Sequence, residues 1–358
     1  MLPTPNAPVP GTTVVVGVDT HTDTHHAAVL DLNGRLEGDA AFPATPAGYQ
    51  ALVDWAGSYG IIDRIGVELT SSYGAGLTRA LTGAGIHVLQ VNTTDKATRA
   101  RRGKDDRSDA IAAAQKVLAG MATAIPKDTT GVIESIRMLT LVRNSAVKSR
   151  TQALNQIKDL LVTAPTPLRE QLRRFSLPTI AKHAAALQPD TGRYADPAHA
   201  AEHALKRLGH RVAALNDEIT AADQELRALT TATAPTLLAR PGLGVHTTAQ
   251  FLITAAENID RITSDAAFAR LCGAAPVPVS SGQTHRMRLH RGGDRQANRA
   301  LHMIIIGRMK NDPDTRAYIT RRLTEGLSKR DTIRALKRYV ARQVFNDLKT
   351  DLTKNRHP

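Results

Sequence analysis

The stretch Thr13-Val-Val-Val-Gly-Val-Asp19 is β-branched and apolar until its last residue. A run of this kind predicts a strand buried on both faces. It ends in an aspartate, and a buried carboxylate needs a partner or a metal because leaving it unpaired is costly. Downstream, Ala27-Ala-Val-Leu30 and residues 36–42 flank Asn33-Gly34, a strong hairpin signal, so the first three strands are expected as an antiparallel meander. Residues 49–59 then read as a helix. Arg64-Ile-Gly-Val-Glu68 reads as a second short buried strand ending in an acid, 73–84 as a helix with Gly85 at its C-terminal end, and His87-Val-Leu-Gln-Val91 as a further strand.

The next segment, Lys104-Asp-Asp-Arg-Ser-Asp-Ala110, crowds carboxylates at the start of a helix. Asp109 lies three residues after Asp106 and four after Asp105, so it shares a helical face with either one. Acidic residues suit the positive end of a helix dipole, which makes a solvated helix start the simplest account. The repulsion also asks for a cation, either the flanking Lys104 and Arg107 or a divalent metal. Taken with Asp19 and Glu68, acids at two strand ends and at a following helix start converge on one edge of a sheet, where open α/β sheets form their ligand sites. Three or four hard oxygen ligands suit magnesium and phosphoryl transfer.

The bulk composition narrows the partners. The 358 residues exceed one ordinary hydrophobic core, so two or three domains are expected. Lys and Arg number 47 against 33 Asp and Glu, a net +14, which favours a polyanionic partner, nucleic acid before membrane surface. Aromatic residues are only 3%, so phosphate contact by Arg and Lys is a better expectation than base stacking as the main binding mode. The single cysteine, Cys272, excludes an internal disulfide and cysteine-type zinc clusters. The proline-rich start lacks the pattern of a signal peptide, and no apolar run reaches the roughly 18 residues of a membrane span. A cytoplasmic, nucleoid-associated protein is the expectation.

From 132 to 162 the pattern is helical and basic. Leu205, Leu208, Val212, Leu215, Ile219, Ala222, Leu226 and Leu229 alternate steps of three and four, a heptad seam. Two long helices, packed together or against another subunit, follow from this, with Pro165, Pro167, Pro178, Pro189 and Pro197 breaking the chain between them. Arg240-Pro-Gly-Leu-Gly-Val resembles the hairpin of helix-hairpin-helix modules, in which Gly242 and Gly244 would expose amides to a phosphate. Ser280-Ser281-Gly282 precedes a run containing His285, Arg286, Arg288, His290, Arg291, Arg295 and Arg299. A serine on a glycine-containing loop beside so much positive charge is a phosphate ligand, a nucleophile toward phosphorus, or merely a turn residue. Basic amphipathic helices over 297–309 and 334–348 complete the chain.

Seven signatures occur in one order: Gly17-Val-Asp19, Val67-Glu68, Lys104-x-Asp106-x-x-Asp109-Ala110, Pro241-Gly-Leu-Gly244, Leu271-x-Gly273-x-x-Pro276, Ser281-Gly282 and Gly292-Gly-Asp-x-x-x-Asn-Arg-Ala-Leu301. This ordered set resembles the DEDD-type insertion-sequence transposases, over nearly everything from Val14 to Leu348. The resemblance implies α/β plus α architecture: a RuvC-like, ribonuclease-H-type domain over 13–127, a helical coiled-coil region over 128–234 and a mainly helical C-terminal transposase domain over 235–350. A disordered lead (1–12) and a tail (351–358) would flank these. It implies that Asp19, Glu68, Asp106 and Asp109 bind Mg2+, and that Ser281, the serine directly before glycine, attacks a DNA phosphate to form a temporary phosphoserine link. Lys104, Gly242, Gly244, Arg286, Arg288, Arg291, Arg295 and Arg299 would contact nucleic acid. The implied partners are donor and target DNA, a structured noncoding bridge RNA, and further copies of the chain, a dimer assembling to a tetramer in which half-sites meet across protomers. Two other readings compete: a RuvC-like nuclease or resolvase in which metal-activated water cuts, and a non-catalytic architectural protein that binds nucleic acid.

Overall fold

In a computed structural model, which describes residues 12–92, 105–190, 192–281, 284–290 and 292–354, the chain divides into two compact units. The first comprises Met1–Gly131 with Ala255–Thr263, and the second Val132–Thr254 with Ser264–Pro358.

The first unit is built on five strands. β1 (Thr13–Thr20), β2 (Thr24–Asp31) and β3 (Leu36–Pro43) form the antiparallel meander, and Gly34 takes a φ of +84° in its second turn. After α1 (Pro46–Gly57), β4 (Ile61–Glu68) returns parallel to β1; after α2 (Ala75–Gly83), β5 (Val88–Val91) lies parallel to β4. The sheet order is β3-β2-β1-β4-β5. This mixed α/β sheet is consistent with the ribonuclease-H-type domain implied by the sequence.

Strand periodicity assigns the two faces. Val14, Val16 and Val18 of β1 join Ile65 and Val67 of β4 in a core with Leu52, Trp55, Leu77 and Leu81 from α1 and α2. Val15 of β1 points the other way, into a second core with Ala113 and Val117 of α3 (Asp106–Leu118). Gly17 and Gly66 share that second face by the same alternation, and they are register partners across β1 and β4. A Cβ on Gly17 would lie 2.1 Å from the Ala114 backbone nitrogen and 2.3 Å from the Ala110 carbonyl oxygen; one on Gly66 would lie 2.4 Å from Val117 Cγ2. The pair forms a trough that lets the alanine face of α3 rest on bare backbone.

In the second unit, α4 (Val132–Thr163) and α7 (Pro197–Thr233) pair along their length, with α5 (Thr166–Leu172) and α6 (Leu177–Ala185) filling the prolyl connection between them. Ala153, Ile157, Leu161, Leu205 and Val212 bury their side chains here with Leu172 and Ile180. Of the heptad seam, Leu205, Val212, Ile219, Ala222 and Leu226 are buried, while Leu208, Leu215 and Leu229 are half-buried. Arg143 of α4 reaches Asp223 of α7 at 2.8 Å, and Arg150 reaches Asn216 at 3.0 Å.

The remainder comprises α8 (Pro235–Leu238), α9 (Val245–Ala255), α10 (Asp265–Leu271), the hairpin β6 (Pro276–Ser281) and β7 (Thr284–Leu289), α11 (Arg295–Asn311), α12 (Pro313–Thr324) and α13 (Lys329–Lys354). α13 continues past the expected boundary at 350, because Asp351 is buried and its carboxylate accepts from the Thr236 and Leu237 amides at the start of α8.

The trough generates a stability prediction. Gly17→Ala should cost about 1–3 kcal/mol, the usual penalty of overpacking a fitted contact. Gly83→Ala, where an added Cβ meets nothing within 4 Å, should leave stability level or slightly higher. Urea unfolding of the two variants checks this, and equal midpoints would refute the close seat.

Candidate active site

Alternation along β1 carries the second face from Val15 through Gly17 to Asp19, and along β4 from Gly66 to Glu68. Asp19 and Glu68 therefore stand one residue beyond the Val18/Val67 pair, at neighbouring C-terminal strand ends, and the Thr20 hydroxyl donates to the Glu68 carbonyl at 3.0 Å. Both are buried, at 4% and 2% exposure. Since α3 rests on the glycine trough, its first turn overlies the same edge.

There the two adjacent aspartates separate. Asp105 is the N-cap: its carboxylate accepts from the Ser108 amide at 3.3 Å and the Ser108 hydroxyl at 3.0 Å. Asp106 begins the helix and places Oδ1 at 3.1 Å from His21 Nε2, which also lies 3.1 Å from Asp19 Oδ2. Asp109, one turn on, is buried and raises the Asp19 pKa by its charge. Burial is the larger cause of that upward shift, Asp106 adds to it, and His21 opposes it. Arg107, a possible counter-charge from sequence, instead binds Asp39 of β3 at 2.7 Å, alongside His26 at 3.1 Å. Although burial acts against it, this pairing holds the Asp39 carboxyl below the usual carboxylate range. Lys104 lies outside the described residues.

Asp19, His21 and Asp106 offer one ligand atom each within 4.8 Å of one another. Two carboxylates and an imidazole suit a divalent cation, and the like charges around Asp19 favour one. His21 is absent from the sequence-derived ligand set; its signal is its place two residues after Asp19, just beyond the strand.

The serine region is organised by a different set of motif residues. Asp294 caps α11 through the Gln296 and Ala297 amides and accepts from the Thr254 hydroxyl at 2.8 Å. Asn298 donates to the Cys272 and Gly273 carbonyls at 3.1 and 2.8 Å and accepts from Lys337 at 2.7 Å. Burial pushes the Lys337 pKa down. Gly273, at φ +63°, meets Gly293 so closely that a Cβ on Gly293 would lie 2.3 Å from its nitrogen. These contacts clamp both ends of the β6–β7 hairpin. Ser280 pairs with His285 and Ser281 with Thr284, so both serines close a strand rather than occupy the loop expected from sequence. Arg286 and Arg288 lie opposite Val279 and Val277, and Arg295 and Arg299 are exposed one turn apart on α11.

Gly242 takes φ +81° in the turn between α8 and α9, but the Gly244 amide is used internally, donating to Thr247 Oγ1 at 2.9 Å. Arg291 is outside the described residues.

A family described as Transposase, of the DEDD type named for IS110, matches residues 16–164. A second, described as Transposase IS116/IS110/IS902 family, matches residues 234–320. The chain belongs to the IS110 family of DEDD transposases. The first match covers the sheet and acidic edge of this IS110-family member, and the second covers the α8–α9 turn and the serine hairpin. It is 33% identical over 122 residues to the uncharacterized 43.6 kDa protein of insertion element IS110 from Streptomyces coelicolor, an alignment covering 33% of this chain and 30% of that protein. It is 32% identical over 137 residues to the uncharacterized 42 kDa protein of insertion element IS900 from Mycobacterium paratuberculosis, covering 37% and 34%. The chain thus spans about a third of the length of the curated relatives it matches.

The raised Asp19 pKa fixes a sign. A carboxyl with a higher pKa folded than unfolded loses stability as pH rises through that interval, so ionised Asp19 is a burden at neutral pH. With a chelator present, Asp19→Asn should melt above the parent at neutral pH, and the difference should vanish below the ordinary carboxylate range. A lower melting temperature for Asp19→Asn at neutral pH would show the opposite balance.

Proposed function

We propose that this protein is the transposase of an insertion sequence, cutting and rejoining DNA through a phosphoserine intermediate formed on Ser281. The observation that supports this reading most is the approach of Asp19, His21 and Asp106 at the sheet edge where Glu68 also ends, in a chain whose family match extends through the serine hairpin. In the forward step the Ser281 Oγ–phosphorus bond forms as a strand P–O bond breaks. The serine releases a proton, and the departing DNA oxygen gains one. Attack by a DNA hydroxyl on the phosphoserine reverses the balance and rejoins the strand without an energy-supplying cofactor.

Asp19, Glu68, Asp106 and Asp109 would hold Mg2+, with His21 beside them. When bound, the ion would supply Lewis-acid polarisation of a phosphate oxygen. Asp105 preserves the geometry by capping α3, leaving Asp106 free to face His21. Arg286, Arg288, Arg295 and Arg299, in the proposed reading, offset phosphate charge around the serine strand. The partners of this reading are donor and target DNA, a bridge RNA that supplies target sequence by pairing, and further copies of the chain up to a tetramer. The setting would be nucleoid-associated. Among the described residues no helix is long and apolar enough to cross a membrane.

The test uses the full chain with cognate element ends and RNA co-purified from its host. The parent should yield protein covalently joined to cleaved DNA when rejoining is blocked. Ser281→Ala should lose that product and strand transfer by at least ~10³-fold, while Asp106→Asn should lose both and Asp105→Asn should retain them. Ordinary hydrolytic ends with activity intact in Ser281→Ala would favour the metal-water nuclease. Magnesium-independent binding without any cleavage would favour the architectural protein.

A further inference from the structure

A groove of about 1250 Å³ lies between the β6–β7 hairpin and α13. One wall is a ladder: Arg330, Arg334, Arg338 and Arg342 all line it, at every fourth residue of α13. Four residues advance a helix by about 6 Å, a step comparable to the separation of successive phosphates along one nucleic-acid strand. Arg288 adds a fifth guanidinium from the hairpin, against a single aspartate, Asp331, among the described lining residues. Asp331 pairs with Arg334, and Asp265 with Arg338, at 2.9 Å each. These pairs hold the middle of the ladder upright, while Arg330 and Arg342 at its ends are exposed.

The floor has a different character. Val279, Met287 and Tyr339 line it, and each is a well-exposed residue, at 43%, 66% and 48% of its whole surface. A duplex presents sugars and phosphates outward and keeps its bases stacked inside, so it would satisfy the arginines and leave this floor bare. An unpaired strand has bases to lay against it while its backbone follows the ladder. Val279 is two residues before Ser281 on β6, so the groove leads to the strand end that carries the serine.

We propose that this groove binds an unpaired DNA strand, the segment leading to the phosphate that Ser281 attacks. The inference rests on the transposase reading for the role of that strand, but its binding is measurable without any chemistry.

The test is a fluorescence anisotropy titration of the full chain with labelled oligothymidylate across a range of salt concentrations. Each phosphate contact on a single strand contributes about 0.7 to the log–log salt slope. The double variant Arg330→Ala/Arg342→Ala should therefore lower the slope by about 1.4, and Arg330→Lys/Arg342→Lys should retain it. Met287→Asp should weaken oligothymidylate binding about fivefold or more at fixed salt by spoiling the floor, with little effect on a duplex of the same length. Three results would each overturn the groove: an unchanged slope in the alanine variant, an equal loss on duplex, or a loss confined to oligouridylate, which would make the occupant RNA. Ser281→Ala should bind oligothymidylate with the parental slope. A chain that cleaves with its slope unaffected by the arginines refutes the groove alone; one that shows the arginine-dependent slope but forms no adduct refutes the serine chemistry alone.

Discussion

The absence of two side chains underlies the arrangement of the first unit. Gly17 and Gly66, partners across parallel strands, let α3 descend onto backbone, and the descent brings Asp106 and Asp109 over strand ends occupied by Asp19 and Glu68. A β-carbon at either glycine would lift the helix and separate the acids. The period of two that fills one sheet face with valine therefore also aligns bare backbone and carboxylate on the other. Packing and chemistry share a single strand.

That arrangement concentrates negative charge in a protein that is basic overall. Burial and neighbouring carboxylates both push Asp19 toward its neutral form, and a histidine between two of the acids only partly offsets them. Elsewhere the positive excess is held in place by well-chosen carboxylates: Asp39 fixes Arg107, Asp223 fixes Arg143, and Asp265 fixes Arg338. Such pairs add little stability when exposed, and they set direction. Lys337 is held differently, a buried ammonium donating to an amide oxygen, so that a cation becomes part of the clamp on the hairpin.

The strands were readable because a β-branched run without polar alternation has few other uses, and the antiparallel meander followed from Asn33-Gly34. Helix bounds were readable to within a few residues, as with α4. The choice between Asp105 and Asp106 was not legible from spacing, since both stand three or four residues before Asp109; Asp105 differs from Asp106 in capping the helix through Ser108, and capping depends on where the helix begins. His21 stands two residues after Asp19, but its other partner, Asp106, is far along the chain, and periodicity carries no information about such pairs. The same holds for Arg107, whose charge was visible but whose attachment to β3 was not. Asn298 and Gly293 stood out as motif residues, yet their work is to fasten a turn, which a motif string does not distinguish from contact with substrate.

The segment Ala255–Thr263 belongs to the first unit although the chain has by then run through the two long helices. Asn258 ties it in, accepting from the Asp128 amide at 3.0 Å and donating to the Pro126 carbonyl at 2.8 Å. During synthesis the sheet can form early, but these hydrogen bonds wait for more than a hundred further residues to leave the ribosome. Completion of the acidic unit is thereby coupled in time to the emergence of the helical one, so a chain interrupted within the helices carries an unfinished first unit.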